Sequence, residues 1–382
     1  MDKKTTLEMI AAISNANGTS GFEDEVVAAI RPYAEGLGEI TEDCMRNLYI
    51  RRKENNDKRP VVQLDAHSDE VGFMVQAICP NGTLRIIQIG GWVNHNIPAH
   101  KVWVRNRFGE YIPGITASKP PHFMTEQERK APVVPDVTFT YSETTDLMVG
   151  KSFDCRLGCA AILKTMHNLA GQELNVDIVG ACAAQEEVGV RGATVTAQVI
   201  KPDIAIVFEG CPADDTCVEP YMVQTAIKRG PMLRHIDARM ITNPRYQRYA
   251  LDLAEKLGIP VQDAVRSAGA TNGAAMHIHI TEFQRMPILI TLLSWHVKFS
   301  KDLTKSRLRV SNLCWCLTLG KKDAIEEMKQ TLGYKTAEDR LEIAAVSGIF
   351  SKLPILYFPL LRYYFSSKAL SQSYSLQVRQ SA

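Results

Sequence analysis

The chain has 382 residues, enough for one large domain and a smaller one, and 45% of them are hydrophobic. Its 44 Lys and Arg residues nearly balance 42 Asp and Glu residues, so the net charge of +2 supports neither nucleic acid nor a membrane surface as a partner. The nine cysteines are odd in number and lack CxxC spacing, which indicates reduced thiols rather than disulfides. Reduced thiols predict a cytoplasmic protein.

Neither end of the sequence predicts a targeting or membrane segment. The first seven residues are mainly polar and lack the apolar core of a signal peptide. The most apolar late stretch, residues 349–365, is interrupted by Lys352, Arg362 and two prolines, so it is too short and too polar to span a bilayer.

Helix and strand patterns alternate over the first seventy residues. Apolar residues recur at helical spacing in segments 7–14 and 22–33, which are separated by a loop at 18–21. Two strand-like segments follow, at 47–52 and 60–65.

The sequence pattern changes between residues 71 and 148. Short strands of β-branched and apolar residues alternate there with Pro, Gly and Asn turns, which favours a small β-barrel or sandwich over βαβ units. These predicted strands lie at 72–78, 83–89, 101–105 and 111–115.

Beyond this insert the helix and strand patterns return. We predict a helix at 157–169, strands at 176–183 and 203–208, and a helix at 247–257 that is capped by Asn243. The alternation on both sides of a β-rich insert predicts an α/β fold in which a discontinuous domain is interrupted by a second one. The expected divisions are 1–70 with 149–300, then the insert at 71–148, and an atypical C-terminal extension at 301–382 whose tail is disordered.

Acidic residues stand where two predicted buried strands end. Glu186 and Glu187 follow the strand at 176–183, and Glu209 follows the strand at 203–208. Two adjacent carboxylates at the end of a buried strand cost free energy unless a metal ion or a proton is shared there. The alternative for the pair is a solvated position on a surface loop.

Two further fragments offer metal-ligating groups. His67 and Asp69 follow another predicted strand, and Asp69 is placed to hold the imidazole of His67; a structural histidine is the alternative. Asp154 lies near the start of a predicted helix, where a carboxylate either caps the helix or bridges two cations. One histidine and several carboxylates at strand ends match the ligand set of zinc, cobalt or manganese.

Four fragments together resemble a known family, the dinuclear metallo-aminopeptidases of the glutamyl and deblocking (tetrahedral) type, which includes proteins once labelled endoglucanases. The fragments occur in the family's order, and the resemblance covers about residues 5–280. They read His-Ser-Asp-Glu-Val-Gly from His67, Phe-Asp-Cys-Arg-Leu-Gly from Phe153, Gln-Glu-Glu-Val-Gly-Val-Arg-Gly-Ala from Gln185 and Phe-Glu-Gly from Phe208.

The resemblance implies a mixed-sheet, three-layer α/β/α catalytic domain like that of zinc peptidases, with two divalent metal ions per subunit, Zn²⁺ or Co²⁺. It implies that His67 and Glu209 bind one ion, that Asp154 bridges both ions and that Glu187 binds the other. The family's last ligand is a histidine after a final buried strand, and His296 falls about where that ligand would lie.

The resemblance also implies the chemistry. Glu186 would be the general base on a water activated by the two metal ions, and Asp69 would orient His67. The substrates would be peptides that lose their N-terminal residues. The insert would serve in homo-oligomer assembly, commonly a dodecamer, and neither nucleic acid nor a membrane is an expected partner.

Two departures from the family pattern leave alternatives open. The connection from the insert, between Arg129 and Val137, is shorter than usual, and the family pattern is lost after Ile280. The first alternative is therefore a catalytically impaired assembly or binding homologue that lacks the final metal ligand. The second, glycoside hydrolysis, is disfavoured because adjacent glutamates do not flank a sugar ring at about 5–9 Å. His277 alternates with apolar residues, which predicts a strand with a core or supporting role for this histidine.

Overall fold

The computed structural model describes residues 1–80, 82–92, 97, 101–116, 137–215 and 218–278, together with the backbone of one strand at 288–293. The first elements are α1 (Lys3–Asn15), α2 (Asp24–Ala34), β1 (Gly38–Glu42), β2 (Leu48–Arg52) and β3 (Val61–His67). Asp2 caps α1 by accepting a hydrogen bond from the backbone N–H of Thr5.

Six short strands follow, in three hairpins. They are β4 (Gly72–Ile78), β5 (Leu84–Ile89), β6 (Lys101–Arg105), β7 (Tyr111–Ile115), β8 (Thr140–Ser142) and β9 (Leu147–Val149). Within the described residues each hairpin forms its own two-stranded antiparallel sheet. The four strands predicted between residues 72 and 115 are confirmed, and the closed barrel or sandwich stays a prediction.

Helices and strands alternate again in the second half. The elements are α3 (Phe153–Leu169), β10 (Asp177–Ala183), α4 (Arg191–Ile200), β11 (Ile204–Glu209), β12 (Met232–Ile236), α5 (Pro244–Lys256), β13 (Gln262–Val265), α6 (Gly273–Met276) and β14 (Ile288–Leu293). Asn243 caps α5 as its sequence predicts, since its side chain accepts hydrogen bonds from the next two free N–H groups.

Eight of these strands form one mixed sheet in the order β1-β2-β10-β3-β11-β14-β12-β13. Strands β10, β3, β11 and β14 are parallel and occupy its centre. The carboxyl ends of parallel strands meet at one edge, and the register sets Ala183, the last residue of β10, opposite His67, the last residue of β3. The predicted α/β fold is therefore confirmed as a mixed-sheet fold.

Helices cover both faces of the central strands. On one face α3 packs closely, because a side chain at Gly158 would come within 2.8 Å of Ala66 in β3 and 2.9 Å of Phe208 in β11. The opposite face of β11, at Ala205 and Val207, forms a core cluster with residues of α4 and α6. Alternation along each strand thus sends successive side chains to different helices, which explains the continuous burial of β10 and β11.

Some elements differ from the sequence prediction. Strands β1, β8, β9, β12 and β13 and helix α4 were not predicted, because short strands and a glycine-containing helix start carry weak local signals. The strand predicted around His277 is wrong: Gly273–Met276 form a single helical turn and His277 ends it. Among the described residues, no helix has both the length and the apolar character needed to cross a bilayer.

Candidate metal centre

The carboxyl edge of the central strands gathers five of the predicted site residues. His67 is the last residue of β3 and Glu209 the last residue of β11, while the Glu186–Glu187 pair follows β10. Asp154 comes from the first turn of α3, which packs against the same strands. Four separate parts of the chain therefore converge on one point.

His67 lies at the centre of this cluster, with 1% of its surface exposed. Its Nε2 atom is 2.9 Å from Oδ1 of Asp154 and 3.2 Å from Oε1 of Glu209. The nearest oxygen of Glu186 is 4.0 Å from the same nitrogen. Asp154 thus directs its carboxylate at the histidine, and no side-chain hydrogen bond caps the start of α3.

Among the residues that the structure describes, two groups of side chains offer ligand atoms that lie within 4.8 Å of one another. One group is His67, Asp154, Cys155 and Glu209, and the other is His67, Glu186 and Glu187. The two groups share the histidine. Cys155 is buried and donates a hydrogen bond from its thiol to the carbonyl of Phe208, at 3.0 Å.

Asp69 lies beside His67 on the side away from the other carboxylates. Its backbone carbonyl is 3.1 Å from Nδ1 of the imidazole, and its carboxylate is 3.4 Å from the same atom. The hydroxyl of Ser20 donates to that carboxylate at 2.7 Å. This arrangement holds the ring and leaves Nε2 directed into the cluster.

Within the described residues, the cluster contains more carboxyl groups than positive side chains to pair with them. Burial raises the pKa of Glu186, Glu187 and Glu209 to about 8 each. Burial by itself lowers the pKa of His67, but Glu209, Asp154 and Asp69 together raise that pKa well above its usual value. Among the described residues, no Lys or Arg pairs with these three glutamates or with Asp154.

These properties fit a divalent metal ion. Glu209 is 6% exposed, and within the described part of the chain its buried Oε2 atom has no hydrogen-bond partner. A buried polar atom ordinarily has a partner, and a metal ion would supply one here. A histidine nitrogen and several carboxylate oxygens are the donors that zinc and cobalt accept. Of the predicted ligands, the structure brings together His67, Asp154, Glu187 and Glu209; His296 lies outside the described residues.

A buried ion-pair network lies next to the metal-ligand cluster at the same sheet edge, and the sequence analysis did not find it. Glu70 pairs with Lys151 and Arg156, each at 3.0 Å, and Arg156 also donates to the backbone carbonyls of Ser68 and of the α1–α2 loop. Arg156 is 1% exposed. Such residues read as surface charges in a sequence, because their partners are distant along the chain.

The sheet and the cluster first define a class of protein: α/β proteins that present a histidine and several carboxylates, the donor set of divalent metal ions, at the ends of parallel strands. The M42 glutamyl aminopeptidase family matches this chain over residues 47–136 and 131–301. The chain therefore belongs to the M42 glutamyl aminopeptidase family, which confirms the resemblance found in the sequence.

Individual relatives agree with this assignment. FrvX of Escherichia coli strain K12 is 30% identical over 303 residues, which are 71% of this chain and 83% of FrvX. The glutamyl aminopeptidase of Lactococcus lactis subsp. cremoris strain MG1363 is 28% identical over 298 residues, 70% of this chain and 83% of that enzyme.

Solved structures show the same fold. A TET aminopeptidase from a marine sediment Thaumarchaeota archaeon has a TM-score of 0.74 and 27% identity, covering 85% of this chain and 99% of its own. The TET1 peptidase of Pyrococcus horikoshii, which assembles into a tetrahedron or a large octahedral shell, has a TM-score of 0.67 and 21% identity, covering 82% of this chain and 99% of its own.

Proposed function

We propose that the protein is a metal-dependent aminopeptidase that hydrolyses N-terminal residues from peptides. The observation that carries this proposal is the convergence of His67, Asp154 and Glu209 with the Glu186–Glu187 pair at one sheet edge. Membership of a family of glutamyl aminopeptidases supports a peptidase.

The proposed ligand roles are those that the family resemblance implies, and the two groups that share His67 support them. His67 and Glu209 would hold one ion, Asp154 would contribute to both sites, and Glu187 would hold the second ion. His296 is the proposed final ligand. Two Zn²⁺ or Co²⁺ ions bound there would polarise the scissile carbonyl and lower the pKa of a water molecule.

Glu186 is the proposed general base. Its carboxylate is 4.0 Å from Nε2 of His67, which places it beside the ligands, while its backbone is held by Asp69. Glu186 would accept a proton from the attacking water and deliver it to the amine of the departing peptide. Burial raises the pKa of Glu186 to about 8 in the metal-free protein, so the group binds and releases protons near neutral pH.

The insert and the assembly are part of the proposal. We place the catalytic domain at 1–70 and 149–300, the insert at 71–148 and an extension at 301–382. The hairpins of the insert expose large apolar side chains, among them Ile78, Phe108 and Ile115 at 71–75% exposure, which supports a homo-oligomer with contacts through this region. Light scattering after gel filtration tests it, and a monomer would contradict it.

Within the described residues, six cysteines are free thiols. Free thiols support the proposal of a reducing, cytoplasmic location.

Release of N-terminal residues from a panel of short peptides tests the function. We expect complete metal removal by a chelator to abolish release, and Zn²⁺ or Co²⁺ to restore it. The matched pair Glu186→Gln and Glu187→Gln separates the roles: E186Q keeps metal binding and loses about 10²–10⁴-fold in rate, whereas E187Q loses metal.

Glu173→Gln, at an exposed loop position, is the control and keeps full activity. Release that survives complete metal removal would refute the mechanism. His296→Ala is expected to reduce the metal content from two ions per chain to one.

A further inference from the structure

The turn that bears the glutamate pair, residues 184–187, is held through its N–H groups by side chains rather than by backbone carbonyls. We call this segment the glutamate turn. Its four consecutive N–H groups donate, in order, to Oδ1 of Asn47 at 2.8 Å, to Oε1 of Glu23 at 3.2 Å, and to the two carboxylate oxygens of Asp69 at 2.9 and 3.1 Å. Three side chains from three separate parts of the chain therefore receive all four hydrogen bonds.

The glutamate turn needs these acceptors. Its own carbonyls accept hydrogen bonds from the N–H groups of Gly189, Val190, Arg191 and Gly192, and the last two of these residues begin α4. Gln185 has a φ of 55°, a left-handed conformation that costs a non-glycine residue free energy. Without outside acceptors, four N–H groups that are buried or partly buried would lose their partners, and the left-handed residue would be free to relax.

The three acceptors, which we call the cradle, are themselves fixed. Asn47, Glu23 and Asp69 are each 0% exposed. The amide group of Asn47 donates to the carboxylate of Asp43 at 2.7 Å, which directs its Oδ1 towards the glutamate turn. Oε1 of Glu23 also accepts from the N–H of Gly21 at 2.9 Å.

The fit of the cradle is close. A side-chain carbon at Gly192 would lie 2.2 Å from the carbonyl oxygen of Ala184 and 2.4 Å from Oδ1 of Asn47, so that position has room only for glycine. Asp69 links the two halves of the metal centre, because one carboxylate contacts both the imidazole of His67 and the N–H groups of the glutamate pair.

We propose that Glu23 and Asn47 are positioning residues that act through the backbone of the glutamate turn and set where the carboxylates of Glu186 and Glu187 lie. Neither side chain belongs to the ligand groups around His67. The catalytic consequence rests on the proposed function, whereas the effect on the backbone does not. Groups that support metal ligands contribute about 10–100-fold in affinity or activity. We therefore expect removal of either acceptor to weaken metal binding.

The test uses the full chain with Glu23→Ala and Asn47→Ala, the conservative variant Glu23→Gln, and Glu173→Ala as the exposed control. Zn²⁺ is titrated calorimetrically into metal-depleted protein, and amide hydrogen exchange is followed in the peptide that contains the glutamate turn. We expect E23A and N47A to bind Zn²⁺ about 10–100-fold more weakly and to exchange faster at residues 184–187. E23Q keeps one acceptor oxygen and stays near the wild type, as does E173A.

Wild-type zinc affinity and exchange in E23A and N47A, even with a lower melting temperature, would overturn the proposal, because a merely structural role moves only stability. Glu23→Asp, which shortens the side chain by one methylene, replaces E23A if that variant does not fold, with the same expectation. If the wild type takes up no Zn²⁺, the proposed function fails, and hydrogen exchange alone still decides the role of the cradle.

Discussion

Two buried carboxylates at the same sheet edge have opposite surroundings. Glu70 is 4% exposed and Glu209 is 6% exposed. Glu70 pairs with Lys151 and Arg156 and accepts hydrogen bonds from Ser152 and Gly18. Burial would raise its pKa, but the two cations hold that pKa below the usual value. Glu209 contacts the shared histidine, and one of its oxygens has no partner among the described residues.

The difference separates support from function. A buried carboxylate with two cations is satisfied by the protein and needs nothing further. The carboxyl groups around the imidazole of His67 have no such cations among the described residues, and burial raises the pKa of Glu209 to about 8. The first arrangement stabilises the edge, and the second supplies the charge to receive divalent cations when its carboxyl groups lose their protons.

The largest effect is expected from neutral isosteres at the ligand positions. Glu209→Gln and Asp154→Asn keep shape but remove charge and metal affinity, so we expect at least about a 100-fold loss of Zn²⁺ affinity together with loss of peptide hydrolysis. Calorimetric titration and peptide release measure it. Retained affinity in both variants would show that these carboxylates are not ligands, with Glu173→Gln as the control for loss of a charge.

The next effect concerns the free energy of unfolding, which we expect to fall on substitution of Glu70 but not on substitution of Glu209. Glu70→Gln leaves Lys151 and Arg156 buried without their partner and should lower the free energy of unfolding by about 3–5 kcal/mol. Glu209→Gln in metal-free protein at pH above 8 removes excess negative charge, so it should not destabilise the fold. Denaturant-induced unfolding of both variants measures the difference. Equal destabilisation of the two variants would contradict this prediction.

The pH dependence of the metal-free protein follows from the same cluster. The folded-state pKa of Glu186, Glu187 and Glu209 is about 8, above the ordinary value of 4.5. Their stabilising contribution is complete below pH 4.5 and is lost as the pH rises through 8, so the unfolding free energy should fall over this interval.

Metal binding needs deprotonated ligands, so the gap in melting temperature between Zn²⁺-loaded and chelated protein should widen with pH. A constant gap would contradict the charge argument.

The smallest effect is expected at an exposed ion pair. Arg248 and Asp252 lie one turn apart on α5, at 2.9 Å, with side chains 73% and 54% exposed. Asp252→Asn should change the free energy of unfolding by less than about 0.5 kcal/mol. A loss as large as that of Glu70→Gln would mean that burial does not set the difference between ion pairs in this protein.

Much of the fold was predictable from local patterns. Helices α1, α2, α3 and α5 and the buried strands β10 and β11 carry long periodic or apolar signals, and the M42 relationship was visible in four motifs. His67, Asp154, Glu187 and Glu209 were named as candidate ligands from those motifs, and the structure brings them together. Their role as metal ligands stays a prediction.

Other features had no local signal. Helix α4 starts at Arg191, separated from the glutamate turn by three residues, at a point where glycines indicate a loop. Glu23, Asn47, Glu70 and Arg156 look like ordinary polar residues, and only contacts between distant parts of the chain reveal that they are buried. His296 and the domain limits stay predictions.

By itself, the sequence determined the buried strands β3, β10 and β11 and the acidic residues at their ends, because alternation, apolar runs and motif spacing are local properties. Only the tertiary structure decided that these ends share one edge, that Ala183 lies opposite His67, and which buried carboxylates are neutralised. Strand order and charge pairing depend on contacts between residues that are distant along the chain, 86 positions for Glu70 and Arg156, and no local pattern encodes them.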